Sequence, residues 1–279
     1  MERAAAYACR VTSSADSPAI PEIETELLQV ARDAARASAE VLLRYYGNAT
    51  GVRTKSTDTD LVSEADVTAE RAIRELLAER RPDDAILGEE GGETTPAGES
   101  GIRWIVDPLD GTVNFLYEYP QWCVSVAAED RHGTVAGVVW DPLHEEEWAA
   151  TRSGAATLNG APISASTQAE LSQTLVATGF AYDAGVRARQ AEIVAQLLPR
   201  VRDIRRGGSA AIDLCWTAAG RSDAYYERSI NPWDYAAGAL VCERAGLCVR
   251  ELPADHELPF GLVVAPPAQI DHLHALVIG

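Results

Sequence analysis

The segment WIVDPLDGTVNF, residues 104–115, places two carboxylates three positions apart at the end of an apolar stretch. Asp107 ends that stretch, and Pro108 prevents regular pairing as a central strand. Asp110 and Gly111 then predict a sharp turn. Two carboxylates on one turn repel each other and are costly to bury, unless hard divalent cations bind them through oxygen. The N–H groups that follow Gly111 could hold a phosphate oxygen.

Other acidic residues lie at comparable element boundaries, and each also has a structural explanation. Glu89, in ILGEE, could begin a solvated loop, and Asp234 could cap a helix. Asp66 could complete a capping box with Ser63. The turn DPLDGT could by itself be ordinary, since Asp, Pro and Gly all favour turns. Their joint occurrence favours a cation site.

A different phosphate chemistry is suggested by Cys215 and Arg221, which have the Cys-x₅-Arg spacing of cysteine phosphatases. The residues between them, WTAAG, contain a single glycine, and Cys215 lies within a predicted helix. A phosphate-binding loop needs several free N–H groups at a helix start. The sequence therefore predicts a buried thiol at Cys215.

The elements that must position these residues alternate between helical and strand patterns. Helices are predicted over residues 23–46, 63–81, 187–198, 210–219 and 235–245, with Ser209 as the N-cap of the fourth. Strands are predicted over residues 85–88, 104–106, 175–178, 224–226 and 262–264, with a β-rich region over 122–151 and a polar loop over 91–101. This order indicates a mixed α/β protein with more than one sheet.

The net charge of −18 limits the possible partners. A surface this acidic repels phosphate backbones, which argues against nucleic-acid binding as the main function. It would repel an anionic substrate as well. A phosphate ester could bind only if cations reversed the local charge.

The cysteines and the apolar segments bear on where the protein works. The five cysteines are odd in number, scattered and without a CxxC pair, which is typical of reduced, mostly buried thiols in a cytoplasmic protein. The histidines do not cluster with them, so no zinc site is predicted. No apolar run reaches the length of about 18 residues that a membrane helix needs. Residues 1–20 lack the pattern of a signal peptide, and we expect a disordered tail.

Taken together, these motifs resemble those of the inositol monophosphatase family. The segments are KSTDTDLVSEAD (55–66), ILGEE (86–90), WIVDPLDGTVNF (104–115), IRRGGSAAIDL (204–214) and NPWDYAAG (231–238). They occur in the family's order from about residue 22 to residue 270, and DPxDGTxNF followed by WDxAAG is a specific pair.

The resemblance implies a fold, an assembly and an activity. The fold would be α/β (α+β), a layered αβαβα sandwich of the inositol monophosphatase and fructose-1,6-bisphosphatase type. A single phosphatase domain would span residues 21–279, with an N-terminal α+β half over about 21–150 and a C-terminal α/β half over about 151–279. The protein would be a cytoplasmic homodimer that hydrolyses small phosphate monoesters, depends on Mg²⁺ and is sensitive to lithium.

The resemblance also implies two to three Mg²⁺ ions per subunit. Glu89, Asp107 and the carbonyl of Leu109 would hold the first ion. Asp107, Asp110 and Asp234 would hold the second, and a third, weaker ion would bind through Glu89 and waters. Oxygen-rich, partly hydrated sites of this kind suit Mg²⁺.

Catalytic roles follow from the same resemblance. A metal-activated water would attack phosphorus directly, without a phosphoenzyme. Glu89 and Thr112 would orient and deprotonate this water, and Asp66 would hydrogen-bond Thr112 from behind. The N–H groups of Gly111 and Thr112 would bind the phosphate. Lys55 would support the outer metal-bound waters.

The substrate is less narrowly defined. By resemblance, Glu227 would bind the ring hydroxyls of inositol, Ala210 would contact the ring through its backbone, and Asp110 and Asp234 would complete the substrate site. Arg206 and Gly207 differ from some relatives, and Arg206 could instead pair across a subunit interface. Inositol 1-phosphate is therefore the expected substrate. Histidinol phosphate and fructose 1,6-bisphosphate are alternatives on the same fold, and 3′-phosphoadenosine compounds are a weaker one.

A second class of function is a mainly partner-binding, regulatory protein, because some relatives also associate with the transcription machinery. Such a protein would commonly have lost a metal-binding carboxylate, and this sequence keeps all of those assigned above. Mg²⁺-dependent release of phosphate distinguishes the two classes.

Overall fold

A computed structural model describes residues 20–47, 53–54, 61–62, 64–94, 98 and 100–278. Within these residues the α-helices are α1 (Glu22–Tyr45), α2 (Glu64–Arg80), α3 (Thr112–Leu116), α4 (Ala184–Leu197), α5 (Ala210–Ala218), α6 (Pro232–Arg244) and α7 (Ile270–Val277). The strands are β1 (Arg53–Thr54), β2 (Leu61–Val62), β3 (Ala85–Gly88), β4 (Gly92–Thr94), β5 (Arg103–Asp110), β6 (Cys123–Asp130), β7 (Gly133–Asp141), β8 (Glu146–Thr151), β9 (Thr157–Leu158), β10 (Ala161–Pro162), β11 (Leu175–Thr178), β12 (Asp203–Arg205), β13 (Ala224–Arg228), β14 (Cys248–Leu252) and β15 (Gly261–Ala265).

Helices and sheets alternate in layers in the described part of the chain. The larger sheet has eight strands in the order β10-β9-β8-β7-β6-β5-β3-β4, and the smaller has five in the order β12-β11-β13-β15-β14. Helices α1 and α2 cover the outer face of the larger sheet, and α5 and α6 lie between the two sheets. Helices α4 and α7 cover the outer face of the smaller sheet. The predicted αβαβα sandwich is confirmed.

The outer layer forms because α1 has one apolar face. Leu27, Val30, Ala34 and Leu42 are buried at the three- and four-residue spacing of a helix. The small Ser38 is buried in the same stripe and donates to the carbonyl of Pro108 on β5 at 3.2 Å, and the helix also packs against strands β6 and β7. Burial of each leucine side chain contributes roughly 1.5–3 kcal/mol. Helix α1 therefore forms a stable outer layer on the larger sheet, which contains the strand of Asp107 and Asp110.

The register between β3 and β5 places two acidic residues side by side. The strands run parallel, with Gly88 opposite Val106. Glu89 and Asp107 are the next residue of each strand, so they follow at the same level of the sheet. Two acidic segments that are separate in the sequence meet because of this pairing.

Strand β5 extends beyond the end predicted at Asp107. Its pairing with β6 shifts register between Asp107 and Asp110, and it resumes where Asp110 lies opposite Cys123. Pro108 has no N–H to donate, so the ladder cannot continue regularly through it. Such irregularities re-aim side chains near functional sites. Both carboxylates therefore lie on a short irregular stretch that is anchored by pairing on either side.

Other boundaries also differ from the predictions. Strand β4 lies within the predicted polar loop, where pairing with β3 supplies order that its polar sequence does not indicate. Helix α6 begins at Pro232 with Asn231 as its N-cap, so Asp234 is the third helical residue and not the helix opener. Strands β12 and β14 and helix α7 were not predicted, because short apolar segments have no clear period. The proposed cap Ser63 lies outside the described residues.

Two expectations from composition can be compared with the structure. Cys123, Cys215 and Cys242 are buried free thiols, as expected. Cys248 is disulfide-bonded, so the expectation of a fully reduced set is wrong there, because scattered spacing does not exclude pairing between distant cysteines. Among the described helices, none is both long and apolar enough to cross a membrane.

Candidate metal centre and substrate cavity

The structure brings acidic side chains together in two groups whose candidate ligand oxygens lie within 4.8 Å of one another. The groups are Asp107, Asp110 and Asp234, and Asp66, Glu89 and Glu90. The first group is the set predicted for the second magnesium ion. The second group contains Glu90, for which the sequence predicts no role.

The carboxylates of Asp107 and Asp110 are held by hydrogen bonds from neighbouring segments. Asp107 Oδ1 accepts the N–H of Leu109 at 2.9 Å. Asp110 Oδ2 accepts the Ser209 hydroxyl at 2.6 Å and the N–H of Ala211 at 2.7 Å. Ser209 and Ala211 lie at the N-terminal end of α5, where the helix dipole favours negative charge. Asp110 is therefore positioned by the layer between the sheets as well as by its own strand.

Asp234 is held within the first turn of α6. The N–H of Asn231 donates to Asp234 Oδ2 at 2.6 Å, and the two residues form a reciprocal capping box. A capping box satisfies two donors at the helix start. Asp234 can thus take part in capping helix α6 and also belong to the carboxylate group.

Electrostatics in this group favour protonation unless a cation is present. Burial raises the pKa of Asp107 well above its usual range, and the nearby Glu89 and Asp110 raise it further. Burial likewise raises the pKa of Asp234 well above its usual range, with Asp110 contributing next. Burial raises the pKa of Asp110 too, although the bond from Ser209 opposes this shift. Charge that is buried and mutually repelling is the condition that a bound cation relieves.

The donors present fit magnesium. They are carboxylate oxygens, which hard divalent cations prefer, and they come from strand β5 and helix α6. The carbonyl of Leu109, predicted as a further ligand, accepts the Thr112 hydroxyl at 3.1 Å. A carbonyl oxygen has two lone pairs, so this bond leaves capacity for a cation. Leu109 also lines the cavity described below.

The hydroxyl of Thr112 lies between two acceptors. It is 3.3 Å from Asp66 Oδ2 and 3.1 Å from the carbonyl of Leu109. One hydroxyl proton can serve one acceptor at a time, while the oxygen can still accept a hydrogen bond from a third group. Asp66 is fully buried on α2. The contact expected between these two residues is present, and its catalytic role stays a prediction.

Gly111 is required at the turn that follows Asp110. Its φ of 95° lies in the left-handed region that other residues rarely adopt. A β-carbon there would also lie 3.0 Å from the carbonyl oxygen of Gln121 and 3.2 Å from Cβ of Trp122. The turn can therefore approach the two residues that precede β6 closely only with glycine.

A cavity of about 450 Å³ opens beside the carboxylates. The predicted residues that line it are Glu89, Asp107, Leu109, Asp110, Gly111, Thr112, Ala210, Glu227 and Asp234. Residues with no predicted role, including Phe180, Tyr182 and Trp233, complete its wall. Predicted metal ligands and predicted substrate contacts thus share one space. Lys55 lies outside the described residues.

Glu227 projects from β13 toward this cavity and is held by two neighbours. The Tyr225 hydroxyl donates to Glu227 Oε2 at 3.0 Å. On another side, a β-carbon at Gly179 would overlap the Glu227 carboxylate. Burial raises the pKa of Glu227 to about 7, and the Tyr225 hydrogen bond opposes this shift. Glu227 can therefore change its protonation near neutral pH in the absence of cations.

The segment of Arg206 and Gly207 forms another part of the wall. Arg206 lines the cavity, and its charge opposes the rise in the pKa of Glu227. A β-carbon at Gly207 would overlap Gln121 Nε2 and lie 2.5 Å from Asp213 Oδ1, so a larger residue there would displace both side chains. Asp213 was not predicted, although an acidic residue in an apolar helix is a recognisable signal. It is buried and accepts a hydrogen bond from Gln121 Nε2 at 3.2 Å.

Cys215 has the environment of a structural thiol. It lies within α5, is fully buried and is free. Burial raises the pKa of its thiol well above the usual range, which disfavours the thiolate that a nucleophile needs. Arg221 is engaged elsewhere, with Glu146. The interpretation of Cys215 as a buried thiol is supported.

Comparisons with known proteins agree with this arrangement. The sequence model of the inositol monophosphatase family matches residues 23–274. An inositol-1-monophosphatase of Mycobacterium leprae is 46% identical over 224 residues, which cover 76% of each chain. A Salmonella typhimurium protein named Nus factor SuhB is 36% identical over 82% of this chain and 86% of its own. The crystal structure of the extragenic suppressor protein suhB of Bartonella henselae superimposes with a TM-score of 0.82 at 33% identity, over 90% of this chain and 98% of that one.

Proposed function

The chain belongs to the inositol monophosphatase family, a family of phosphoric monoester hydrolases, and we propose that its substrate is inositol 1-phosphate. The observation that carries this proposal is the cavity itself. It is lined by the carboxylates Asp107, Asp110 and Asp234, which form one group, and also by Glu227 of the smaller sheet. The carboxylate group suits a cation-bound phosphate, and Glu227 suits a hydroxylated leaving group.

Magnesium is the proposed cofactor, with two to three ions per subunit. Glu89, Asp107 and the Leu109 carbonyl would hold one ion, and Asp107, Asp110 and Asp234 would hold another. A third, weaker ion would bind through Glu89. Bound magnesium would supply Lewis-acid chemistry, which lowers the pKa of water and stabilises the negative charge that develops as the ester bond breaks.

The protein's own groups would orient the attacking water. If the Thr112 proton is committed to Asp66 at 3.3 Å, the Thr112 oxygen can accept a hydrogen bond from that water. Glu89 would receive the proton that the water loses, as a general base. The N–H groups of Gly111 and Thr112 would hold the phosphate, and Lys55 would support the outer metal-bound waters.

Substrate choice would depend on the part of the cavity wall that contains Glu227 and Ala210. A carboxylate accepts hydrogen bonds from the hydroxyls of a sugar or cyclitol, which is the role we assign to Glu227. Ala210 would contact the ring through its backbone, and Asp110 and Asp234 would touch the substrate near the phosphate. Such hydrogen bonds discriminate strongly, because a ligand without the hydroxyl leaves a buried acceptor unpaired.

A substrate panel tests this proposal. Phosphate release would be measured with Mg²⁺ and after chelation, using inositol 1-phosphate, histidinol phosphate, fructose 1,6-bisphosphate and 3′-phosphoadenosine 5′-phosphate. A Mg²⁺-dependent preference for inositol phosphate supports both the chemistry and the role of Glu227. A preference for another ester keeps the chemistry and overturns the substrate.

We further propose a cytoplasmic homodimer that lithium inhibits at the position of Asp107, Asp110 and Asp234. The exposed aromatic side chains Tyr117 and Tyr119, 77% and 53% accessible, offer apolar surface for a subunit contact. Light scattering coupled to size-exclusion chromatography tests the dimer. Turnover in rising lithium concentrations tests the inhibition, and full activity at high lithium would contradict it.

A second candidate function is regulation through a protein partner. It is favoured by the relative named Nus factor SuhB, which is similar over 82% of this chain. Absence of phosphate release from every ester in the panel would favour this alternative over the enzyme.

A further inference from the structure

Glu70 is a buried carboxylate that faces the turn carrying Glu89. It lies on α2, one helical turn after Asp66, and only 2% of it is exposed. Its Oε2 accepts the N–H of Glu90 at 2.7 Å, and its Oε1 accepts the N–H of Gly91 at 2.8 Å. One carboxylate therefore binds the two peptide groups that follow Glu89.

A basic partner balances this buried charge. Arg74, one further turn along α2, donates from Nε to Glu70 Oε1 at 2.6 Å. Its Nη2 donates to the carbonyl of Gly92 at 2.6 Å. Buried carboxylates are tolerated when they are paired and fully hydrogen-bonded, as here. The pair Glu70–Arg74 thus spans the whole turn from residue 90 to residue 92.

The turn is shaped to fit this carboxylate. A β-carbon at Gly88 or at Gly91 would lie 2.7 Å from Glu70 atoms. No larger residue fits at either position unless Glu70 moves. Glu89 therefore sits between two peptide segments that both touch one side chain, and its backbone has little freedom.

Helix α2 thereby contacts both groups that are proposed to activate the water, Thr112 and the turn of Glu89. Asp66 reaches the hydroxyl of Thr112 at 3.3 Å, and Glu70, four residues later on the same face, fixes the turn of Glu89. Side chains four residues apart on a helix point the same way. A rigid helix therefore sets the distance between Thr112 and Glu89.

We propose that Glu70 is a positioning residue, which holds Glu89 where it can bind a cation beside Asp107 and act with Thr112. This inference rests on the proposed function, because it needs Glu89 to be a ligand. Glu70 itself neither lines the cavity nor touches the reacting groups. Its effect passes through the peptide groups of residues 90 and 91.

The test compares Glu70→Gln with a matched control, Asp84→Asn. Asp84 is also a buried carboxylate, 5% exposed, and accepts hydrogen bonds from Arg81 Nε at 2.7 Å and Trp104 Nε1 at 2.9 Å. It precedes β3, whereas Glu70 contacts the turn after β3. Both substitutions remove one charge from a satisfied buried network, but only one of them acts next to Glu89.

Mg²⁺ binding would be measured by isothermal titration calorimetry, together with amide hydrogen exchange at residues 89–92 and thermal unfolding. We expect Glu70→Gln to weaken Mg²⁺ binding by about tenfold, the lower end of the effect seen when groups that orient metal ligands are lost. Exchange at residues 90 and 91 should also become faster. Asp84→Asn should lower the unfolding temperature with Mg²⁺ affinity within about twofold of wild type.

Equal Mg²⁺ affinity in wild type and Glu70→Gln would overturn the proposal, as would an equal loss in both variants. If Glu70→Gln does not fold, Glu70→Asp keeps the charge but shortens the reach, and the same decrease in affinity is expected. Wild type that binds Mg²⁺ but hydrolyses no ester would contradict the proposed function and leave this comparison valid. Wild type that binds no Mg²⁺ would overturn both.

Discussion

Gly179 lies directly against the carboxylate of Glu227, at the ends of two parallel strands. Strands β11 and β13 pair with Thr178 opposite Tyr226, so Gly179 and Glu227 are the next residue of each. A β-carbon at Gly179 would overlap both carboxylate oxygens. In the larger sheet, the parallel pairing of β3 with β5 brings Glu89 beside Asp107 in the same way.

Replacing Gly179 with alanine should therefore disturb Glu227 and leave the metal centre intact. Overpacking of this kind costs about 1–3 kcal/mol where the neighbour must move. We expect the KM for inositol 1-phosphate to rise by about tenfold, since a loss of 1.4 kcal/mol corresponds to that factor. The KM for phenyl phosphate, which has no ring hydroxyls, should change little.

Gly185→Ala is the matched control for Gly179→Ala. Gly185 is exposed in the first turn of α4, and its β-carbon would meet one side-chain atom of Asp183 at 3.1 Å. It should leave both KM values unchanged. An equal rise in KM for both esters in Gly179→Ala would show that the alanine disturbs more than Glu227.

Replacing Asp107 with asparagine should separate activity from stability. Asp107 is proposed to bind two ions, so its loss should lower turnover by at least about 100-fold. That factor is the upper end of the effect seen when a residue that only orients a metal ligand is replaced. Burial and the neighbouring carboxylates raise the pKa of Asp107, so a neutral residue should also stabilise the metal-free protein, by on the order of 1 kcal/mol. Steady-state kinetics and chemical unfolding in chelator measure the two effects.

Asp130→Asn is the control for Asp107→Asn, and it should lose stability while keeping its activity. Its hydrogen bonds from Arg152, at 2.7 and 2.9 Å, lower the pKa of Asp130 to about 2. A lowered pKa contributes stability that is present above the ordinary value of 3.8 and is lost as the pH falls toward 2. At neutral pH this variant should be less stable and fully active.

For Asp107→Asn, in contrast, near-normal turnover would refute the assignment of Asp107 as a metal ligand.

The stability of the metal-free protein should depend on pH through Glu227. Its pKa is raised from 4.5 to about 7, so its favourable contribution is complete below pH 4.5 and is lost as the pH rises through 7. The loss is on the order of 2 to 3 kcal/mol relative to a neutral residue. Unfolding by urea in chelator at pH 5, 6, 7 and 8 should show wild type losing stability relative to Glu227→Gln. Parallel curves would contradict the assigned pKa.

Ser209→Ala should affect both helix α5 and the metal centre. The Ser209 oxygen accepts the N–H of Ile212 at 3.3 Å as an N-cap, and its hydroxyl donates to Asp110 at 2.6 Å. Loss of the cap costs about 1 kcal/mol, and loss of the second bond leaves Asp110 Oδ2 held mainly by the N–H of Ala211. We expect weaker Mg²⁺ binding by calorimetry as well as a lower unfolding temperature. Ser209→Thr keeps the hydroxyl and should restore the Mg²⁺ affinity; failure to do so would argue against the bond to Asp110.

The sequence predicted the elements whose apolar period is long or whose caps are distinct. Helix α1 was predicted within one residue at each end, and the Ser209 cap was predicted correctly. Acidic residues at element ends also indicated the carboxylates, because such ends are where backbone geometry can hold them. The resemblance to a family then supplied roles that no spacing could give.

What the sequence did not show depends on packing between distant segments. The contact of Glu70 with the peptide groups after Glu89 requires α2 to lie beside the turn that follows β3, and a glutamate on a polar helix gives no sign of that. The continuation of β5 through Pro108 depends on β6, which resumes pairing at Asp110. Gly179 is ordinary in sequence and becomes informative only when Glu227 is placed against it.

The division of the carboxylates among layers has a consequence for how this chain folds. Asp110 belongs to the larger sheet, and Asp234 lies 124 positions later, on a helix between the sheets. Closing a loop of that length costs entropy, and the groups that meet at its ends have the same charge. Without bound cations, bringing Asp110 and Asp234 together works against this repulsion. Refolding should therefore be slower in chelator than in magnesium, and cation binding would then assist the assembly of the chain as well as its chemistry.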